Sequence, residues 1–326
     1  MHWLDRIAGF FSSKGHFYDP LFVDGWGDEK LLERFQAEAG LLPDIPPIDI
    51  AWRPPTTHRD GLRYADGTFP SPAAEILPEA SRLAALRRIG PPGLSAGTCL
   101  IMAAFNDHGY STRHKLAQRL ARDGLTSLLL ENPYYGSRRP TSGQTLRTVV
   151  DFFAMGSAAV FEGRSILADL HHRGEAPIGI AGYSMGGNIA ALISATVPFP
   201  VATAGLAASH SPGPVWAQGL LTNSIAWEAL GGLKARSEIA AILGSASVLR
   251  FPAPPHASSA VLAAPAADGY IPRHAIESLN SHWPGSELRW IKGGHASVLL
   301  WKKGELARAI VDSFARLRQS DGRKPA

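Results

Sequence analysis

From Thr98 to Arg318 short apolar runs alternate with helix-like segments, and this alternation restricts the chain more than any other feature. Residues 98–104, 126–130, 178–182, 201–208, 260–264 and 287–291 read as strands. Between and after them, residues 113–122, 144–172, 185–196, 273–282 and 296–318 carry helical spacing, with Gly124 and Gly174 closing two of the helices. Strands this apolar have no solvated face, so helices must cover both sides of the sheet. That is the signature of an α/β fold with a mostly parallel sheet. Earlier in the chain, residues 61–69 and 82–89 read as a hairpin, which makes 201–208 the sixth strand and 260–264 the seventh. Residues 212–257 break the alternation between those two and read as a short lid. Residues 28–42 look helical, with Pro43, Pro46 and Pro47 behind them, and residues 1–60 read as an N-terminal extension packed on a domain of residues 61–320.

Composition removes several classes. With 33 glycines and 25 prolines among 326 residues, the chain lies below the roughly 25–30% that marks low-complexity sequence. One cysteine excludes a disulfide scaffold, and a formal charge of +4 without a basic stripe argues against nucleic-acid binding. No apolar stretch reaches the ~18 residues of a membrane span, and the first residues lack the apolar run of a secretory signal. A cytoplasmic protein is the expectation. Trp3, Leu4, Ile7, Ala8, Phe10 and Phe11 could share one helical face, which would dock on the domain or touch a membrane surface.

The chemistry gathers at strand ends. Gly182-Tyr183-Ser184-Met185-Gly186 matches G-x-S-x-G directly after a buried strand and before a helix, where a sharp turn lifts the hydroxyl above the sheet. A second match, Gly93-Leu94-Ser95-Ala96-Gly97, precedes a strand and reads as an ordinary turn. A serine hydroxyl needs a base to take its proton, and the base needs an orienting acid. In α/β hydrolases these follow in the order serine, acid, histidine. Asp268 sits just past the seventh strand, and His295 follows two glycines after the last. We therefore expect Ser184, Asp268 and His295 to form the catalytic triad. The oxyanion hole would use the Met185 N–H and one from Phe105 or Asn106, with Phe105 preferred. His210 follows the sixth strand and either lines the pocket or is a plain loop residue.

With these residues in place the sequence resembles the alpha/beta hydrolase domain containing 18 family. Beyond the triad, the similarity rests on Glu131-Asn132-Pro133-Tyr134-Tyr135-Gly136 with Arg138-Arg139-Pro140, on Asp107-His108, and on the block from Asp268-Gly269-Tyr270 to Gly293-Gly294-His295. It runs from about residue 21 to 318. The resemblance implies an α/β-hydrolase fold and a serine hydrolase without metal or organic cofactor. The family usually has glycines where this chain has Ala104, Phe105 and Asn106, so its oxyanion loop must be shaped by other means.

The expected activity is hydrolysis of a carboxylic acyl ester through an acyl-enzyme. The substrate would be a small molecule or a lipid-like ester. Val215, Trp216, Leu220, Leu221, Ile225, Trp227 and Leu230 could cover an acyl chain, and Arg138 and Arg139 beside Tyr135 could meet an anionic head group. Asn106, His108, Tyr135, Arg138, His210 and Trp216 are the candidate substrate-binding residues. The same triad would serve a thioesterase or an amidase, and a non-catalytic binding protein could share the fold.

Overall fold

A computed structural model describes residues 1–2, 4–5, 20–41, 44–140 and 146–321. Of the N-terminal helical face read from the sequence, Trp3, Ile7, Ala8, Phe10 and Phe11 lie outside the described residues.

The framework is one sheet of ten strands. In chain order these are β1 Ala51–Trp52, β2 Thr56–Thr57, β3 Arg63–Pro70, β4 Leu83–Gly90, β5 Thr98–Met102, β6 Thr126–Leu130, β7 Ile178–Tyr183, β8 Ala202–Leu206, β9 Val261–Pro265 and β10 Glu287–Ile291. Their spatial order is β1-β3-β4-β6-β5-β7-β8-β9-β10, with β2 paired to β3. From β6 to β10 every pairing is parallel. The β3–β4 hairpin, expected from the sequence, is antiparallel, and it joins the sheet through an antiparallel pairing of β4 with β6. β1 and β2 add to its far edge, so the N-terminal extension enters the sheet instead of only packing on it.

Alternation along the strands assigns each side chain to a face. Cys99 and Ile101 of β5 join one core with Leu116 and Leu120 of α2 (Ser111–Arg122) and Ile310 and Phe314 of α9 (Lys303–Asp321). Leu100 and Met102 join the opposite core with Ile166 of α3 (Val149–His172) and Ile189 of α4 (Met185–Thr196). Both faces are thus covered, and the residues of β5, β6, β7, β8 and β9 are all buried.

Element ends depart from the periodicity where local hydrogen bonds decide them. The first helix, α1 Glu29–Glu38, is capped by Asp28, which accepts the Leu31 N–H at 2.8 Å. The long helix begins at Val149, later than its apolar spacing suggests. There the Asp151 N–H donates to Thr148 Oγ1 (3.1 Å) and the Thr148 N–H donates back to Asp151 (2.8 Å). The C-terminal helical run is two helices, α8 His295–Trp301 and α9, separated at Lys302. The segment between β8 and β9 folds into α5 Pro212–Gln218, α6 Ala235–Ser245 and several 3₁₀ turns. Its Trp216, Ile225, Leu230, Ile239 and Leu243 share a core with Phe22, Phe35, Phe152 and Phe153. The last helix to be placed, α7 Arg273–His282, precedes β10.

Candidate active site

Ser184 ends β7 and holds φ 58° and ψ −120°. Such a conformation is costly for a residue with a Cβ and persists only where its surroundings impose it. The neighbouring glycines show what imposes it. A Cβ on Gly182 would lie 2.2 Å from Gly186 O, and one on Gly186 would lie 2.6 Å from Met102 O and 2.8 Å from Ala103 O. The Ser184 N–H donates to Leu206 O at 2.8 Å. The turn is thus pressed between β7, the end of β5 and the end of β8, and its serine is partly exposed. Ser95 has none of this: its hydroxyl donates to Gly97 O (2.7 Å) and accepts the Thr126 N–H (3.0 Å), as a turn serine does.

Asp268 and His295 are brought together. His295 Nδ1 donates to Asp268 Oδ2 at 2.8 Å, with side-chain exposures of 11% and 8%. The other carboxylate oxygen accepts the Tyr270 and Ile271 N–H groups at 2.8 and 3.0 Å, so the acid cannot rotate freely. The imidazole lies between the rings of Tyr183 and Tyr270, each 5.0 Å away. The Tyr183 hydroxyl donates to His295 O at 2.7 Å, which ties the histidine to the residue beside Ser184. Burial works against a charged imidazole, but the charge and hydrogen bond of Asp268, with a further contribution from Asp5, outweigh it and hold the pKa above its ordinary value. No hydrogen bond joins Ser184 Oγ to His295 Nε2 among the described residues. The structure therefore pairs Asp268 with His295, and the Ser184 hydroxyl stands apart from the imidazole at the neighbouring strand end.

The N–H groups of Met185 and Phe105 have no acceptor among the described residues. The loop carrying Phe105 reaches its shape without glycine. Asn106 takes φ 58°, a region that asparagine enters more readily than most side chains. Asp107 then anchors the loop through a buried ion pair with Arg113 (2.6 Å), whose guanidinium also donates to Ile101 O, Leu130 O and Gly109 O.

The candidate substrate-binding residues divide differently from the sequence reading. Arg138 is a correction. It is 1% exposed, and its five N–H groups are spent on Glu162 (2.6 and 2.8 Å), Ser81 O (2.7 and 3.3 Å) and Glu131 O (2.6 Å), leaving none for a head group. Tyr135 is buried under the His108 ring, 4.8 Å away. Trp216 is also a correction: it packs against Phe22, Phe105 and Phe152, at centroid distances of 6.2, 5.3 and 5.6 Å, because an indole gains more from that cluster than from a wetted pocket. Asn106 is half-buried on the loop after β5. His108 stays exposed and accepts the Gly136 N–H on Nδ1 at 3.1 Å. His210 lies 3.1 Å from Ser247 Oγ, and burial, with His274 nearby, lowers its pKa.

None of those six lines the main apolar cavity, which lies between α3 and α4. It measures about 760 Å³ and starts at Met185 and Asn188. From there it runs between α3 and α4, past Phe152, Phe153, Val160, Ile189 and Leu192, to a rim with Arg34, Glu38 and Glu75. Asp5 and the cavity are what the sequence reading missed. An isolated aspartate carries no motif, and a space between helices has no pattern of its own. Among the described residues no cluster of three or more His, Cys, Asp or Glu is placed to hold a metal ion. None of their helices is long and apolar enough to cross a membrane.

A strained serine turn on a central parallel strand, with an aspartate–histidine pair after the strands beyond it, defines an α/β hydrolase. The model of the family alpha/beta hydrolase domain containing 18 matches residues 19–235 and 233–316, and the chain belongs to that family. Solved structures share the fold at low identity. Acetyl xylan esterase 1 from Thermoanaerobacterium sp. JW/SL YS485 is 12% identical over 93% of this chain and 97% of its own, with a TM-score of 0.58. Acetyl xylan esterase from Paenibacillus sp. R4 is 13% identical over 92% and 98%, also at 0.58. An S-formylglutathione hydrolase from Agrobacterium tumefaciens is 13% identical over 83% and 100%, at 0.51.

Proposed function

We propose that the protein is a serine hydrolase of carboxylic esters, with Ser184 as nucleophile, His295 as base and Asp268 as its orienting acid. The observation that carries this reading is the strained turn at Ser184, tied to the Asp268–His295 pair through the Tyr183 hydroxyl that donates to His295 O. Backbone strain of this kind costs stability and clusters where chemistry uses it. Ser184 Oγ attacks the ester carbonyl, and His295 Nε2 takes its proton once substrate draws the groups together. The tetrahedral oxyanion is stabilised by the two N–H groups, each worth roughly 10²–10³ in turnover. The imidazolium then protonates the leaving alkoxide, and water repeats the sequence to release the acid. Asp268 holds Nδ1–H toward itself, which leaves Nε2 free as the base.

The cavity supports a lipid-like acyl group over an acetyl group. Its lining includes Met185, next to Ser184 in the chain, and extends along α4 as far as Thr196, a span of about 16 Å at 1.5 Å per residue. Its lining there is mainly apolar. The two acetyl xylan esterases are named for acetyl groups, which need far less room.

A fluorophosphonate probe tests the nucleophile. Wild-type protein takes up one label on Ser184, and Ser184→Ala takes none and loses roughly 10⁶-fold in turnover. Turnover that survives in Ser184→Ala rejects the assignment. A series of aryl esters tests the substrate: kcat/KM rises from acetyl to longer chains, and a strict acetyl preference rejects the lipid-like reading.

A further inference from the structure

One carboxylate outside every motif lies against both catalytic loops. Asp5 is fully buried and accepts three backbone N–H groups. Oδ2 takes those of Gly269 and His295, each at 2.9 Å, and Oδ1 takes that of Ala296 at 3.0 Å. Gly269 directly follows Asp268, and His295 and Ala296 open α8. One side chain therefore joins the loop that carries the acid to the loop that carries the base. The contact is close-fitting: a Cβ on Gly294 would lie 2.6 Å from Asp5 Oδ2 and 2.3 Å from His2 Cβ. The His2 N–H donates to Ala267 O at 3.0 Å, which seats the N-terminal segment on the same loop.

Burying a carboxylate is expensive unless hydrogen bonds replace its water. Three N–H donors do so here, and all three belong to the residues that position Asp268 and His295. Among the described residues, the titratable groups around the imidazole are Asp268 and Tyr270 from the loop after β9, Tyr183 from β7, and Asp5 from the N-terminal segment. Two of them are carboxylates, so the cation formed when His295 takes the serine proton meets two negative charges.

We propose that Asp5 is a positioning residue of the hydrolytic site. It acts through His295 by holding the acid and base loops in register and by adding a second negative charge beside the imidazolium. This rests on the serine-hydrolase reading. The charge of Asp5 favours the protonated ring, whereas the base must be neutral to work. Removing that charge therefore moves the acidic limb of the kcat/KM profile to lower pH. Loosening the loops lowers kcat and leaves KM little changed, because the displaced groups act on the reacting atoms.

The test uses the full chain and an aryl ester, after fluorophosphonate labelling of wild-type Ser184. Asp5→Asn is expected to lose up to roughly 10²-fold in kcat, the effect of about 1 Å of misplacement. Its acidic limb moves down in pH. Asp5→Glu keeps the charge but displaces the three acceptors, so kcat falls and the limb stays in place. A residue that only stabilises the fold would lower the melting temperature and leave the limb unmoved. Asp5→Asn with the wild-type limb overturns the proposal. If Asp5→Asn does not fold, Asp5→Glu decides: reduced kcat on an unmoved limb supports the proposal, and wild-type kcat overturns it. Wild-type protein that takes no label on Ser184 overturns the hydrolase reading and the role of Asp5 with it. A labelled wild type with an unmoved limb in Asp5→Asn overturns Asp5 alone.

Discussion

The loop after β6 and the N-terminal segment at Asp5 each centre on buried carboxylates, but the contacts differ in kind. At the loop, the Glu131 carbonyl and Glu162 from α3 enclose the Arg138 guanidinium. The Glu131 side chain accepts from Ser137, and Gly136 has no room for a Cβ, which would lie 1.7 Å from Glu131 Oε1. Every one of these contacts serves the folding of the loop. Asp5 instead bonds residues that flank the acid and the base. The loop is the more recognisable stretch in the sequence, yet its arginine is spent on packing. The aspartate matches no motif and bonds the loops that carry Asp268 and His295. A recognisable string of residues can mark a demanding fold as readily as a reacting group.

Removing Arg138 tests that contrast most severely. Arg138→Ala leaves Glu162 buried without its partner, and breaking a buried pair in this way costs about 3–5 kcal/mol. Denaturant unfolding would show that loss, while Ser184 labelling per folded molecule stays near wild type. A large fall in labelling of the folded fraction would mean that the loop takes part in the chemistry after all.

The next effect is one of pH. Because the two carboxylates outweigh burial at His295, the acidic limb of wild-type kcat/KM has its midpoint above the ordinary imidazole value of 6.5. Activity grows as pH rises through that midpoint, since the neutral ring is the base. A midpoint below 6.5 would mean that burial dominates, and the charge of Asp5 would then matter little.

Smallest is the second G-x-S-x-G match. Ser95→Ala removes a turn hydroxyl bonded to the backbone of Gly97, Gly124 and Thr126, at about 1 kcal/mol of stability, and leaves turnover unchanged. A catalytic defect in Ser95→Ala would contradict the distinction drawn between the two serines.

The parts visible in advance share one property, which is that local pattern determines them. The β3–β4 hairpin, the buried strands and the helix Met185–Thr196 follow from apolar spacing and turn residues. The serine turn follows from glycines whose missing side chains are required by atoms a few residues away or on the adjoining strand. Helix starts were less visible, because the Thr148–Asp151 reciprocal bonds override apolar periodicity. Trp216 and Arg138 could not be assigned from the sequence. A tryptophan in a lid and an arginine after a strand look alike whether they face substrate or core.

Strand periodicity and neighbours close along the chain carried the strands from β3 to β10, the serine turn, and the chain order of Asp268 and His295, but not β1 and β2. The tertiary structure decided that Asp268 meets His295 at 2.8 Å, that Arg138 is enclosed by Glu162, and that Asp5 reaches the site from 290 residues away. Those contacts depend on where separate loops meet above the sheet edge. Loop closure over such distances is set by the packing of the whole domain, and no local spacing encodes it.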